Sequence, residues 1–183
     1  MIDAFRARAE AVSAEVHRAS GRTEALGFIE EFLIREGVAD AAGAYAVWAR
    51  GPVVDRAAEE RLVSRVKGLR FDVTREAAAE SRVGVSEMEW GLADTGTLVQ
   101  DATDPVKRLV STLPDIHVAL LPAARILPGL AAVLPRLDTA RVPYFAFITG
   151  PSRTADIERV LTIGVHGPSR LVVVIHEGGE AAP

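Results

Sequence analysis

Three short segments hold the residues whose types and spacing suit chemistry. In FITGPSRTADIERVL, Phe147 to Leu161, an apolar run reaches Gly150 and Pro151, passes Ser152, Arg153 and Thr154, and enters a helical pattern whose first turn carries Asp156 and Glu158. A helix start has unpaired N–H groups and the positive end of the helix dipole, so capping alone accounts for the two hydroxyls and the two acids. It does not account for Arg153. A strand-to-helix turn is also where α/β sheets bind anions, and Arg153 would add a two-pronged donor for a carboxylate or phosphate, with Ser152 and Thr154 beside it.

The second segment is VGVSEMEWGLADTGTLVQ, Val83 to Gln100. Asp94, Thr95, Gly96 and Thr97 form a tight polar break, with Gly96 free to take positive φ or admit another backbone. One reading is a turn in which Asp94 and Thr95 bond to local backbone. The other makes Asp94 a carboxylate at the sheet rim, available as base, nucleophile or ligand contact. The same letters occur in aspartic protease loops, but those need two copies or a dimer, and an all-β pattern. In the third segment, GVHGPS, His166 stands between Gly164 and Gly167, either as an ordinary loop residue or as an imidazole within reach of Arg153 or Asp94. His17, His117 and His176 are not in metal-ligand spacing. Neither GxxxxGK[ST] nor GxGxxG occurs.

The elements that must position these residues follow from the apolar spacing. The 183 residues suffice for one domain with a substantial core, and 49% hydrophobic with 25% charged residues is ordinary for a globular chain. A net charge of −4 without a basic stripe argues against nucleic acid as a partner. With no cysteine, the chain offers no disulfide, thiolate-held zinc, iron–sulfur ligation or cysteine nucleophile. The charged N-terminal stretch is no secretory signal and no long apolar run follows, so the expectation is a cytoplasmic chain without membrane insertion.

Spacing predicts a helix from Asp3 to Arg18 and a second from Thr23, capped by Thr23, to Gly37. Their apolar faces suit core packing, and an exposed one would suit a partner or a homo-oligomer. Residues 1–40 are thus expected to be a helical segment packed on an α/β domain of residues 41–177, with 178–183 a loose tail. Within the domain, strands are expected at Ala44–Ala49, Leu69–Thr74, Val83–Val85, Gly96–Gln100, Ile116–Leu121, Tyr144–Thr149 and Leu171–His176. Helical stretches are expected at Val54–Gly68, Glu87–Ala93, Pro105–Thr112, Ala123–Leu137 with Pro128 inside it, and from Thr154. The alternation, with strands that are continuous apolar runs, predicts an open, mostly parallel sheet covered by helices on both faces.

VGVSEMEWGLADTGTLV, RLVSTLPDIHVALLPAARILPGL and FITGPSRTADIERVLTIGVHGPSRLVVVI together resemble the LUD-domain family, most closely its lactate utilisation protein C (LutC) type. The resemblance runs from Val83 to Ile175, with GPSRTADIE and GVHGP its most specific parts. The region before Val83 is shorter than is usual for that type, and SEMEWG lacks small residues often found there. The resemblance implies a fold similar to the NagB, ribose-5-phosphate isomerase and CoA-transferase group. It also implies a bacterial role in oxidising L-lactate to pyruvate beside iron–sulfur proteins, with no cofactor in this chain and the clusters in its partners. Three functions stay open: an accessory subunit of such a system; a stand-alone enzyme on a sugar phosphate, acyl-CoA or small acid, with Asp94 and Arg153 in its site; and a sensor of a small anion.

Overall fold

The computed structural model describes residues 1–154, 162–163 and 167–178. In chain order the elements are α1 (Ile2–Ala11), β1 (Glu15–Ala19), α2 (Arg22–Arg35), β2 (Tyr45–Trp48), α3 (Arg56–Arg65), β3 (Leu69–Arg70), α4 (Arg75–Ala79), β4 (Ser81–Glu87), β5 (Trp90–Leu92), β6 (Thr97–Asp101), α5 (Pro105–Thr112), β7 (Ile116–Pro122), β8 (Ile126–Leu127), α6 (Leu130–Val133), β9 (Phe145–Ile148), β10 (Arg153–Thr154), β11 (Thr162–Ile163) and β12 (Arg170–His176).

Six strands form one sheet in the order β1-β12-β7-β4-β2-β3, every pair parallel. Its central strands are buried on both faces, which is why they read as unbroken apolar runs. Val83, Val85, Ile116, Val118, Leu120, Val172 and Val174 face α2 and α3, where Ile29, Phe32, Leu33 and Leu62 complete the larger core. Ala119, Leu121, Leu171, Val173 and Ile175 face the other way, onto Phe5 and Ala9 of α1 and onto a second sheet. That sheet has four strands in the order β8-β5-β6-β9, with β6 antiparallel to both neighbours. α4 and α5 cover the same face nearer β2 and β4. Gly84 lets α5 approach, since any Cβ there would collide with the Val110 carbonyl.

Several expectations need correction. The helix expected from Asp3 to Arg18 ends at Ala11, and Glu15–Ala19 pairs with β12 as an edge strand of the main sheet, so the amino-terminal segment is not wholly helical. Arg170 fastens this edge, donating to both Glu15 carboxylate oxygens (2.8 and 3.1 Å) and to Glu36 (2.9 Å). The second helix starts at Arg22 behind Gly21, so Thr23 lies in its first turn and is not its cap. Leu69–Thr74 is a strand only over Leu69–Arg70, and Thr74 instead caps α4 by accepting from Ala77 N–H (3.1 Å).

Two of the expected helical stretches take other forms. Over Glu87–Ala93 the chain ends β4 and then forms the strand β5, because Gly91 has room for no side chain between Leu121 and Phe5 and the strand is held by β6. Ala123–Leu137 is broken into a 3-10 turn, the short strand β8 and α6, which begins after Pro128 and Gly129. Arg153–Thr154 pairs antiparallel with Thr162–Ile163, and the helix expected from Thr154 falls on residues outside the described ones. Residues 155–161 lie outside the described residues, as does the tail at 179–183.

Candidate functional site

The residues singled out from sequence gather at the amino end of the parallel strands. Asp94 and Thr95 are exposed at the tip of the β5–β6 hairpin, closed by Gly96 N–H donating to the Leu92 carbonyl (2.8 Å). Gly96 has φ +70° and lies against the Ala9 backbone of α1, which a Cβ would strike; Gly150, also at φ +70°, lies against the Val12 carbonyl in the same way. Thr97 joins the two segments through its Oγ1, 2.8 Å from that of Thr149. Ser152 N–H donates to the Pro168 carbonyl (2.8 Å).

Arg153 has a partner there too. Its Nη2 donates to the Val12 carbonyl (3.1 Å) and to Ser13 Oγ (3.0 Å), where α1 ends and the chain turns through Ser13 at φ +71°. A cation on the negative end of a helix dipole is favourable, so this contact accounts for the arginine that capping leaves unexplained. Asp94, Thr95, Gly96, Thr97, Gly150, Ser152 and Arg153 are thus brought together around the last turn of α1. Thr154 is placed by its backbone pairing alone, and Asp156, Glu158 and His166 lie outside the described residues.

A different set meets at the carboxyl end. The chain leaves β2 toward β3 and β4 toward β7, in opposite directions along the sheet, and a crevice at such a divergence is where open α/β sheets bind ligands. The cavity there measures about 330 Å³ and is lined by Arg22, Val53, Glu87, Pro122, Arg125 and His176, among others. Glu87, Pro122 and His176 are the last residues of β4, β7 and β12, and the short turn after β7 carries Arg125.

The Glu87 carboxylate is wrapped by the loop after β2. Val53 N–H donates to it (2.8 Å), and Gly51 leaves the space its oxygens occupy. Burial raises its pKa, opposed by the Val53 N–H and by the charges of Lys107 and Arg125. His176 is 3% exposed, and neither ring nitrogen has hydrogen-bond geometry with a described partner. Burial lowers its pKa, opposed by the nearby Glu177 backbone and reinforced by the Arg125 charge. Arg125 Nε is also buried without a described partner. Arg22 closes the rim, donating to the Val53 carbonyl (2.6 Å) and pairing with Asp55 (2.7 Å).

This arrangement supplies a guanidinium, a neutral imidazole and a carboxyl that holds its proton more tightly than usual. A small carboxylate can be anchored by Arg125 while His176 and Glu87 meet a neighbouring hydroxyl or carbonyl. Among the described residues, no group of three or more His, Asp or Glu is placed to hold a metal ion, and no helix is long and apolar enough to cross a membrane. Sequence reasoning set His176 aside as an in-strand histidine and did not raise Glu87 or Arg125 as ligand contacts. The missed signal is a polar residue ending an apolar strand, as in VGVSE and LVVVIH.

Fold and crevice define an α/β protein with a parallel sheet and a ligand-sized opening at its strand carboxyl ends. A family model described as LUD domain matches residues 2–176, and the chain belongs to that family. Similar curated proteins include lactate utilization protein C of Anoxybacillus flavithermus, 36% identical over 111 residues covering 57% of this chain and 50% of that one. Lactate utilization protein C of Bacillus subtilis is 36% identical over 104 residues (54% and 43%). The uncharacterized protein YkgG of Escherichia coli K12 is 33% identical over 129 residues (64% and 56%). The chain matches about half the length of these relatives. A crystal structure of a DUF162 family protein from Deinococcus radiodurans superposes with a TM-score of 0.66 over 96% of this chain and 95% of that one, at 17% identity, and shares the fold.

Proposed function

We propose that this chain serves bacterial lactate utilisation as an accessory, anion-binding subunit working beside iron–sulfur proteins, with the carboxyl-end crevice as its binding site. The names of the matched relatives support the process. The observation that carries the site is the convergence of Glu87, Arg125 and His176, from the ends of separate strands, on one cavity. A small 2-hydroxy acid such as L-lactate would place its carboxylate on Arg125 and its hydroxyl toward His176 and Glu87. With no cysteine in the chain, clusters in such a system would be ligated by the partners.

Purification of the tagged protein from lactate-grown cells tests this. The eluate should contain iron and reduce a dye when L-lactate is added. An iron-free eluate that still binds L-lactate would instead favour a stand-alone small-anion enzyme or sensor. The raised pKa of Glu87, which suits a general acid, speaks for that second reading.

A further inference from the structure

Between the two sheets, three buried polar side chains form a chain of hydrogen bonds, from Gln100 of β6 through Ser86 near the carboxyl end of β4 to His117 near the amino end of β7. Gln100 Nε2 donates to Ser86 Oγ (2.9 Å), and Ser86 Oγ lies 2.9 Å from His117 Nε2. Gln100 and Ser86 are 0% exposed and His117 is 1% exposed. With the Gln100 amide oriented so that Nε2 donates, Ser86 Oγ is free to give its own proton to His117 Nε2, although Gln100 Oε1 is then buried with no described partner. The imidazole then carries its proton on Nδ1. That nitrogen is buried and has no described partner. An unpaired buried donor is costly, so something that accepts is expected beside it.

His117 lines a cavity of about 220 Å³ with Ser111, Thr112, Phe147, Ser152 and Leu171. The hydroxyls of Ser111 and Thr112 both donate to the Arg108 carbonyl (3.3 and 2.6 Å), which leaves their oxygens as acceptors. Their position at the end of α5 also puts the negative end of that helix at the cavity. No described lining residue bears a formal charge, and burial disfavours a charged His117, so among the described residues an ion of either sign has no partner. Arg153 and Arg170, each next to a lining residue along the chain, are turned onto α1 and onto Glu15 and Glu36.

We infer that this cavity is a second binding site, separate from the crevice, for a small uncharged molecule that offers an acceptor to His117 Nδ1–H and a donor to the Ser111 and Thr112 oxygens, as a primary amide or lactam does. Ser86 of the network precedes Glu87 of the crevice on β4, but the cavity and the crevice share no lining residue, so benzamide binding and lactate binding are read separately.

Benzamide and benzoate, alike in shape and differing in charge, are the probes. In the protein with ¹⁵N-labelled histidine, the His117 ring nitrogens should first report the Nδ1–H tautomer. Millimolar benzamide should then shift them, with benzoate binding at least about tenfold more weakly. His117→Phe should abolish benzamide binding. Should that variant not fold, Thr112→Val should weaken binding several-fold while leaving the tautomer unchanged. An Nε2–H tautomer, equal binding of the two probes, or no shift with benzamide overturns the inference and leaves the cavity to water.

Discussion

At the amino end of the parallel strands, Gly96, Gly150 and Arg153 all close on the last turn of α1, whereas at the carboxyl end Glu87, Arg125 and His176 face a cavity of about 330 Å³. Gly96 and Gly150 make backbone-to-backbone contacts that leave no room for a side chain, and Arg153 donates to the Val12 carbonyl and Ser13 Oγ. In the second group, both His176 ring nitrogens and Arg125 Nε are buried with no described partner. Buried polar atoms without partners are uncommon in a folded protein unless they serve a ligand or ordered water. A polar sequence motif can therefore mark a packing joint, while the ligand chemistry sits where polar residues terminate apolar strands.

The largest expected effect breaks the joint. Gly96→Ala combines positive φ with a collision against Ala9, and should destabilise the fold by about 3 kcal/mol or more in urea unfolding. A loss within about 0.5 kcal/mol would show that the hairpin is not docked on α1. Next is the pH response of His117, whose pKa burial lowers from 6.5 to about 4. A depressed folded-state value favours the neutral form, so stability is full above pH 6.5 and falls as pH drops toward 4. Between pH 7 and pH 4.5 wild type should lose roughly 2 kcal/mol more than His117→Phe.

Arg153→Ala should cost about 1 kcal/mol through the lost contacts to Val12 and Ser13, without altering anion binding. The smallest effect belongs to Glu87. Burial raises its pKa above 4.5, so its neutral form stabilises the fold at low pH and that contribution is lost as pH rises through the folded value. Glu87→Gln should flatten the stability profile above pH 4.5 by less than about 1 kcal/mol. A steeper profile in the variant would contradict a raised pKa for Glu87.

Much of this architecture is legible in the sequence. IHVALL and LVVVIH are strands because residues buried on both faces must all be apolar, and Asp104-Pro105 announces α5 by a cap and a first-turn proline. β1 is not legible. EVHRA lies at a sheet edge and carries Glu15 and Arg18 in ion pairs, so its burial is supplied by the fold and not by an apolar run. MEWGLA mixes apolar and small residues in a way that suits a helix, and its pairing with β6 and β8 makes it extended. Of the candidate site, the sequence shows the DTGT and GPSR segments and even brings them together. It does not show that α1 lies beneath them, because that contact joins Arg153 to Val12 across almost the whole chain. Glu87, Arg125 and His176 are likewise neighbours only through strand order.

Calorimetric titration with L-lactate of wild type, Arg125→Ala and Arg153→Ala, all confirmed folded, tests the account most directly. Heat of binding in wild type and Arg153→Ala but not in Arg125→Ala is the expected result. Binding that survives in Arg125→Ala and disappears in Arg153→Ala would contradict it, and would place the anion at the amino-end turn.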